Sequence, residues 1–190
     1  MDTRRRRSDH VDAGGSRRGR ALRLLYDRHA DAVPHLFGRL LDHLERTERL
    51  LMDWGSTQAL STAGLCHACY GTDGFGFALL GLDEREVLTT AVGPDVEALV
   101  HLYASCDRSF LYPQIGAGHA TLFRNRFTGE VFPLTDGQLQ DLVDLTLANE
   151  ADVATAGASP QVPEWFVSLA RQFGPHASRP VADACLRLSA

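Results

Sequence analysis

Apolar residues recur at helical intervals through most of this chain. Leu40, Leu44 and Leu51 mark one face of a helix over residues 37–53, which Trp54-Gly55 ends with a glycine where a helix C′ residue belongs. A second helix starts at Ser56 or Thr57 as N-cap and carries Leu60, Ala63, Gly64 and Leu65 into His67. A shorter helix over residues 21–33, with Leu22, Leu25 and Tyr26 inward, precedes both and stops at Pro34. After the glycine-rich break YGTDGFG, Asp83 N-caps a helix with acidic residues in its first turn. Pro94 then opens a long helix through residue 110, whose stripe runs Val96, Leu99, Val100, Tyr103 and then Asp107. An acid continuing an apolar stripe calls for a partner or a metal.

The pattern changes once. Residues 120–135 alternate aromatic and arginine side chains on either side of Thr128-Gly129, which predicts a β-hairpin. Helical spacing returns over residues 136–154 with Leu139, Leu142, Val143, Leu145 and Leu147, and Asn149 and Glu150 fall on or beside that face. A linker follows, then a helix from Pro163 through Trp165 and Phe173, and a last one from Pro180 to Leu188. No internal repeat is present. The expectation is an all-α domain with one small hairpin.

Length and composition narrow this further. A chain of 190 residues, 44% hydrophobic and 23% charged, is that of an ordinary globular domain with a proper core. No apolar run has the 18 or so residues of a membrane helix, and the arginine-rich start lacks the apolar stretch of a secretory signal. Four cysteines in such a chain predict reduced thiols and a cytoplasmic location. All 19 basic residues are arginine, which excludes a lysine nucleophile or Schiff base. Residues 1–20 carry a net charge of +4 and the remainder −9, so an acidic body argues against a nucleic-acid surface. The first 20 residues read as a disordered tail, with an RNA- or partner-binding arm as the alternative.

Candidate chemistry centres on His43 and His67, on the inner faces of consecutive helices. Either both bind one metal ion as neutral imidazoles, or each is a buried histidine satisfied by a backbone carbonyl or hydroxyl. His35, eight residues before His43, is a third imidazole or a solvent-facing residue after Pro34. Asp107 is the carboxylate that completes a two-histidine, one-carboxylate site, or it pairs with Arg124 or Arg126 to hold the hairpin down. Tyr70, beside His67, donates to a metal-bound oxygen or substrate, or anchors a turn together with Phe75 and Phe77. Arg108, Arg124 and Arg126 are the obvious anion holders. The segment GTDGFG lacks the Gly-Lys-Ser/Thr end of a phosphate loop. Cys66 and Cys69 bracket His67 as packing thiols, with no second pair for a zinc ribbon. His29, His101, His119 and His176 read as surface or packing residues.

His43 on one helix, followed 24 residues later by His67 within Ala63-Gly64-Leu65-Cys66-His67-Ala68 at the end of the next, resembles the HD superfamily of all-helical metal proteins. That family holds metal-dependent phosphohydrolases and a minority of di-iron oxygenases, including the myo-inositol oxygenase type. The resemblance covers roughly residues 35–150, and its specific part is these few positions. It implies an HD-like helical bundle over residues 21–156 with a C-terminal helical extension over 157–190. It also implies His43 and His67 as metal ligands, and it puts Asn149 and Glu150 near the family's last metal aspartate. The sequence departs from the family at Ala68, which replaces the aspartate of the His-Asp pair, and at Asn149. Glu150 is then the alternative ligand or the general base. The expected function is a metal-dependent enzyme acting on a small molecule through one divalent ion (iron, manganese or zinc), by metal-activated water or by iron and dioxygen. The rival is a degenerate, non-catalytic HD-like domain that binds a ligand or protein partner. A homo-oligomer held by the C-terminal extension fits either; no nucleic acid and no membrane partner is expected.

Overall fold

The structure, a computed structural model, describes residues 15–118, 120–157 and 161–189. Nine α-helices and two two-stranded antiparallel ladders make up the regular elements among them, so the domain is mostly helical. Helix α1 (Arg17–Asp27) is N-capped by the Ser16 hydroxyl, which accepts from the Gly19 amide. It starts inside the stretch read as tail. Arg18 reaches the buried Glu48 carboxylate at 2.9 and 3.0 Å, and Arg17 pairs with Asp95 at 2.7 Å, which ties this part of the arm to the body. Residues 1–14, the rest of that expected tail, lie outside the described residues, as does His119.

Strands β1 (Pro34–His35) and β2 (Gly38–Arg39) form a ladder the sequence pattern did not suggest. Their two-residue loop is Leu36-Phe37, and Phe37 sits at φ +60°. Helix α2 (Leu40–Asp53) therefore starts three residues later than predicted, and His35 stands on a strand rather than two turns before His43 on one helix. Trp54 caps α2, and Gly55 takes φ +80°, the left-handed conformation its position predicts. Helix α3 (Gln58–Cys66) follows Thr57, whose hydroxyl accepts from the Leu60 amide, and His67 is its C-cap.

A 3-10 turn over Leu82–Glu84 leads into α4 (Arg85–Val92), so Asp83 lies within that turn rather than at an N-cap. Helix α5 (Pro94–Ser105) begins at Pro94 as expected but ends five residues short of Phe110. Cys106 is extended and bridges Asn125 of the hairpin, and the Asp107 amide donates to the Arg124 carbonyl. The hairpin thus peels the chain out of the helix. Asp107 becomes the N-cap of the short helix α6 (Arg108–Leu111), with its carboxylate accepting from the Phe110 amide. Strands β3 (Leu122–Arg124) and β4 (Val131–Pro133) form the predicted hairpin.

Helix α7 (Asp136–Thr155) has a capping box between Thr135 and Gln138. Helices α8 (Glu164–Phe173) and α9 (Arg179–Leu188) close the chain. Two apolar cores result. One, around Leu40, Leu44, Leu65 and Val100, belongs to α1 through α5. The other, around Phe123, Leu142, Phe166 and Phe173, joins the hairpin to α7, α8 and α9. Leu51, Leu60, Tyr103, Leu145 and Ala148 form the seam between them. No helix among the described residues is long and apolar enough to cross a membrane.

Candidate functional site

Two imidazoles meet close to that seam. His43 lies on the buried face of α2 with Leu40, Leu44 and Thr47. His67 is brought to it by the close approach of α3 to α2 at Gly64. A Cβ added there would come within 2.6 Å of Leu51 Cδ1, so only glycine fits without displacement. The two Nε2 atoms lie 3.3 Å apart, and the rings cross at 85°. Both residues are about 98–99% buried.

The far side of each ring is fixed. His67 Nδ1 lies 2.7 Å from the Gly64 carbonyl, which can only accept, so His67 donates from Nδ1. His43 Nδ1 lies 2.6 Å from Asp152 Oδ2 on α7. Burial pushes Asp152 upward, but hydrogen bonds from His43 and Arg46 outweigh it and hold the carboxyl below its usual range. The carboxylate is ionised at neutral pH and accepts from His43, while Arg46 grips it at 2.6 and 3.0 Å from one turn further along α2. His67, donating from Nδ1 to the Gly64 carbonyl, presents its Nε2 lone pair to His43 Nε2.

A third acceptor joins them. Asn149, three residues before Asp152 on α7, places Oδ1 3.0 Å from His43 Nε2. Its orientation is set because Nδ2 donates to Glu150 Oε1 at 3.0 Å, and a flipped amide would oppose oxygen to oxygen. With His43 Nε2 unprotonated, two imidazole lone pairs and an amide oxygen converge with no donor among them; with it protonated, His43 donates to the other two. Such a group of buried acceptors is stable only around an electrophile, either a proton or a cation. Among the described residues no three His, Cys, Asp or Glu side chains are grouped to hold a metal ion. A metal here would have the two imidazoles and, as its third protein donor, the Asn149 oxygen. That set fits a borderline ion such as zinc or iron(II), with the Asp152 carboxylate behind His43.

Burial first, and then the neighbouring His43, pushes His67 down to about 3, so it stays neutral across the ordinary pH range. His35 is also lowered, by burial and then by His43. Its ring stacks on His43 (centroids 4.3 Å apart, planes 17° from parallel) and meets Phe75 edge-on at 5.0 Å. Stacked this way, His35 covers one face of the His43 ring. The Tyr103 ring packs edge-on against His67 from below, at 5.6 Å.

The pair opens into a cavity of about 700 Å³. His35, Arg108, Asn149 and Glu150 line it, and Ala68, the departure from the His-Asp pair of the resemblance, contributes a methyl. Arg108 donates to Glu150 Oε1 at 3.2 Å and to the Tyr103 hydroxyl at 3.0 Å. Other sequence-nominated residues lie elsewhere. Asp107 is engaged by Arg124 (2.7 and 2.8 Å), Ser109 and the α6 amide, and these hydrogen bonds, Ser109's first, hold it below its usual range. It is the hairpin anchor of the alternative reading, because the chain leaves the helix at Cys106. Tyr70 is buried and donates to Glu97, away from the cavity. Arg124 lies over the Phe110 ring, and Arg126 donates to the Ala104 carbonyl and lies over Phe127, so neither faces the cavity.

Asp152 and Arg46 were not foreseen. The signal existed: Leu145, Asn149 and Asp152 recur at intervals of four and three along α7, which puts an acid on the buried stripe. Arg46 lies one turn from His43 on α2.

A family model described as a domain of unknown function (DUF6817) matches residues 24–108, a segment that includes His35, His43, His67 and Arg108 but ends before α7. No curated protein and no solved structure matches the chain.

Proposed function

We propose that this chain is a metal-dependent enzyme of the HD-like class, acting on a small molecule in the cavity beside His43 and His67. The observation that carries the proposal is the convergence of His67 Nε2 and Asn149 Oδ1 on His43 Nε2, at 3.3 and 3.0 Å. These three atoms would hold the ion. A divalent iron, zinc or manganese ion bound there would supply Lewis acidity toward water or a substrate oxygen or, as iron, reactivity toward dioxygen. The chain's own residues do the rest. Asp152 fixes the His43 tautomer and is itself fixed by Arg46. Glu150 Oε1 takes hydrogen bonds from Asn149 and Arg108, which leaves Oε2 to accept or return a substrate proton. His35 and Phe75 shield the outer face of His43 from solvent. Four buried free cysteines suit a reducing compartment, and we place the protein in the cytoplasm.

A second reading rests on the 2.6 Å contact between His43 and Asp152. A proton on His43, balanced by that carboxylate, would satisfy the same acceptors, and the domain would bind its ligand without a metal. Metal analysis of protein purified without added metal separates the two. About one equivalent of iron, zinc or manganese per chain, lost in His43→Ala and in His67→Ala with helicity intact, supports the enzyme. No metal under any loading condition rejects it in favour of the proton-bridged pair.

A further inference from the structure

The mouth of the cavity is built at local cost. Leu36 and Phe37 fill the two-residue β1–β2 loop and are 59% and 61% exposed, yet both line the cavity. Phe37 also adopts φ +60°, at a turn position that favours glycine or asparagine. Two large apolar side chains held in the open, one of them on a disfavoured backbone, point to a role other than folding. The Phe37 ring is braced from behind: it lies against Gly157, just past α7, where an added Cβ would be 3.6 Å from the ring. Phe75 continues this apolar wall inward to His35 and so to the imidazole pair.

Charge limits what can lie against the wall. Among the described residues Arg108 is the one guanidinium lining the cavity and Glu150 the one carboxylate, and they pair with each other. A polyphosphate would need several cations, and the one guanidinium in the cavity is already paired; a polyol would set its hydroxyl groups against the apolar Leu36, Phe37 and Phe75.

We infer that the cavity takes a small molecule with an apolar, ring-sized body and a single oxygen-bearing polar end, of net charge zero or −1. The body lies against Leu36, Phe37 and Phe75, and the polar end reaches His43, His67 and Arg108. This deepens the reading of the site as a reaction centre, but it does not depend on the metal, because the wall contributes no ligand to the converging point.

The test is binding by the full chain, by calorimetry and thermal shift, with chelator and with added metal. The probes are 3-phenylpropionate and 3-phenyl-1-propanol, against ADP and myo-inositol. At least one phenyl probe is expected to bind saturably and raise the melting temperature, while ADP and myo-inositol do neither. Phe37→Gly relieves the left-handed backbone, so its melting temperature is expected to match or exceed that of the parent. Its affinity for the phenyl probe is expected to fall about tenfold or more. A purely structural Phe37 would give the opposite: lower stability with unchanged binding. Failure of both phenyl probes, tighter binding of ADP or myo-inositol, or undiminished phenyl binding by Phe37→Gly overturns the inference. Phenyl binding in chelator by a chain that takes up no metal under any loading leaves the inference standing and removes the metal alone.

Discussion

Asp152→Asn tests the electrostatic logic of the site most directly. The side chain keeps its size and one acceptor but loses the charge that fixes the His43 tautomer and balances Arg46. His43 and Asp152 are nearly dry, with side chains 2% and 5% exposed, so their 2.6 Å bond is poorly replaced by water. Breaking a buried ion pair typically costs about 3–5 kcal/mol. Two features reduce that here: the amide oxygen can still accept from His43, and the Arg46 side chain is 39% exposed and can rehydrate. We expect a loss of about 2–3 kcal/mol, or a drop of about 4–12 °C in Tm for a chain of this size. Metal affinity should fall about 10–100-fold, as when other carboxylates behind a ligating histidine are removed. Chemical denaturation gives the first quantity and metal competition with a chromogenic chelator the second. Parental stability together with parental affinity would refute the assignment of Asp152 as the residue that orients His43.

Two further outcomes follow from the same geometry. His67 has its proton affinity lowered by burial to about 3, against an ordinary value of 6.5, so between these values the unfolded chain binds a proton that the folded chain excludes. In metal-free protein this residue should therefore remove about 1.4 kcal/mol of stability per pH unit as pH falls below about 6.5. Urea melts of parent and His67→Asn between pH 7 and 4 should diverge by that slope, and parallel curves would contradict it. Gly64→Ala should push α3 away from the fully buried Leu51. Overpacking of about 1–3 kcal/mol, offset by about 1 kcal/mol of helix propensity, gives a net loss of up to about 2 kcal/mol and a displaced His67. A higher Tm for this variant would show that the helices can separate freely.

What the sequence revealed, and what it hid, follows from how local each feature is. The helices that present His43 and His67 were legible because their limits are set by nearby residues: the Thr57 cap, the left-handed Gly55 and the apolar spacing of Leu40, Leu44 and Leu51. Asp107 was misplaced because its position depends on a distant event, the bridge from Cys106 to Asn125, which no helical periodicity records. His35 reached the site by another route than expected. The pattern began the helix at residue 37 and left His35 just before it, whereas a strained turn at Phe37 folds it back over His43. Asp152 was overlooked because an acid in a long helix looks solvated until the partner helix supplies His43 and Arg46. Pairing across 109 positions of sequence is invisible to any local window.

The three converging atoms come from opposite sides of the seam, two from the α2–α3 layer and one from α7. A cation or proton held by them would therefore also fasten the two layers together. On the proposed reading, chemistry and cohesion at this junction would draw on one set of atoms, so a change that weakens the first would also loosen the second.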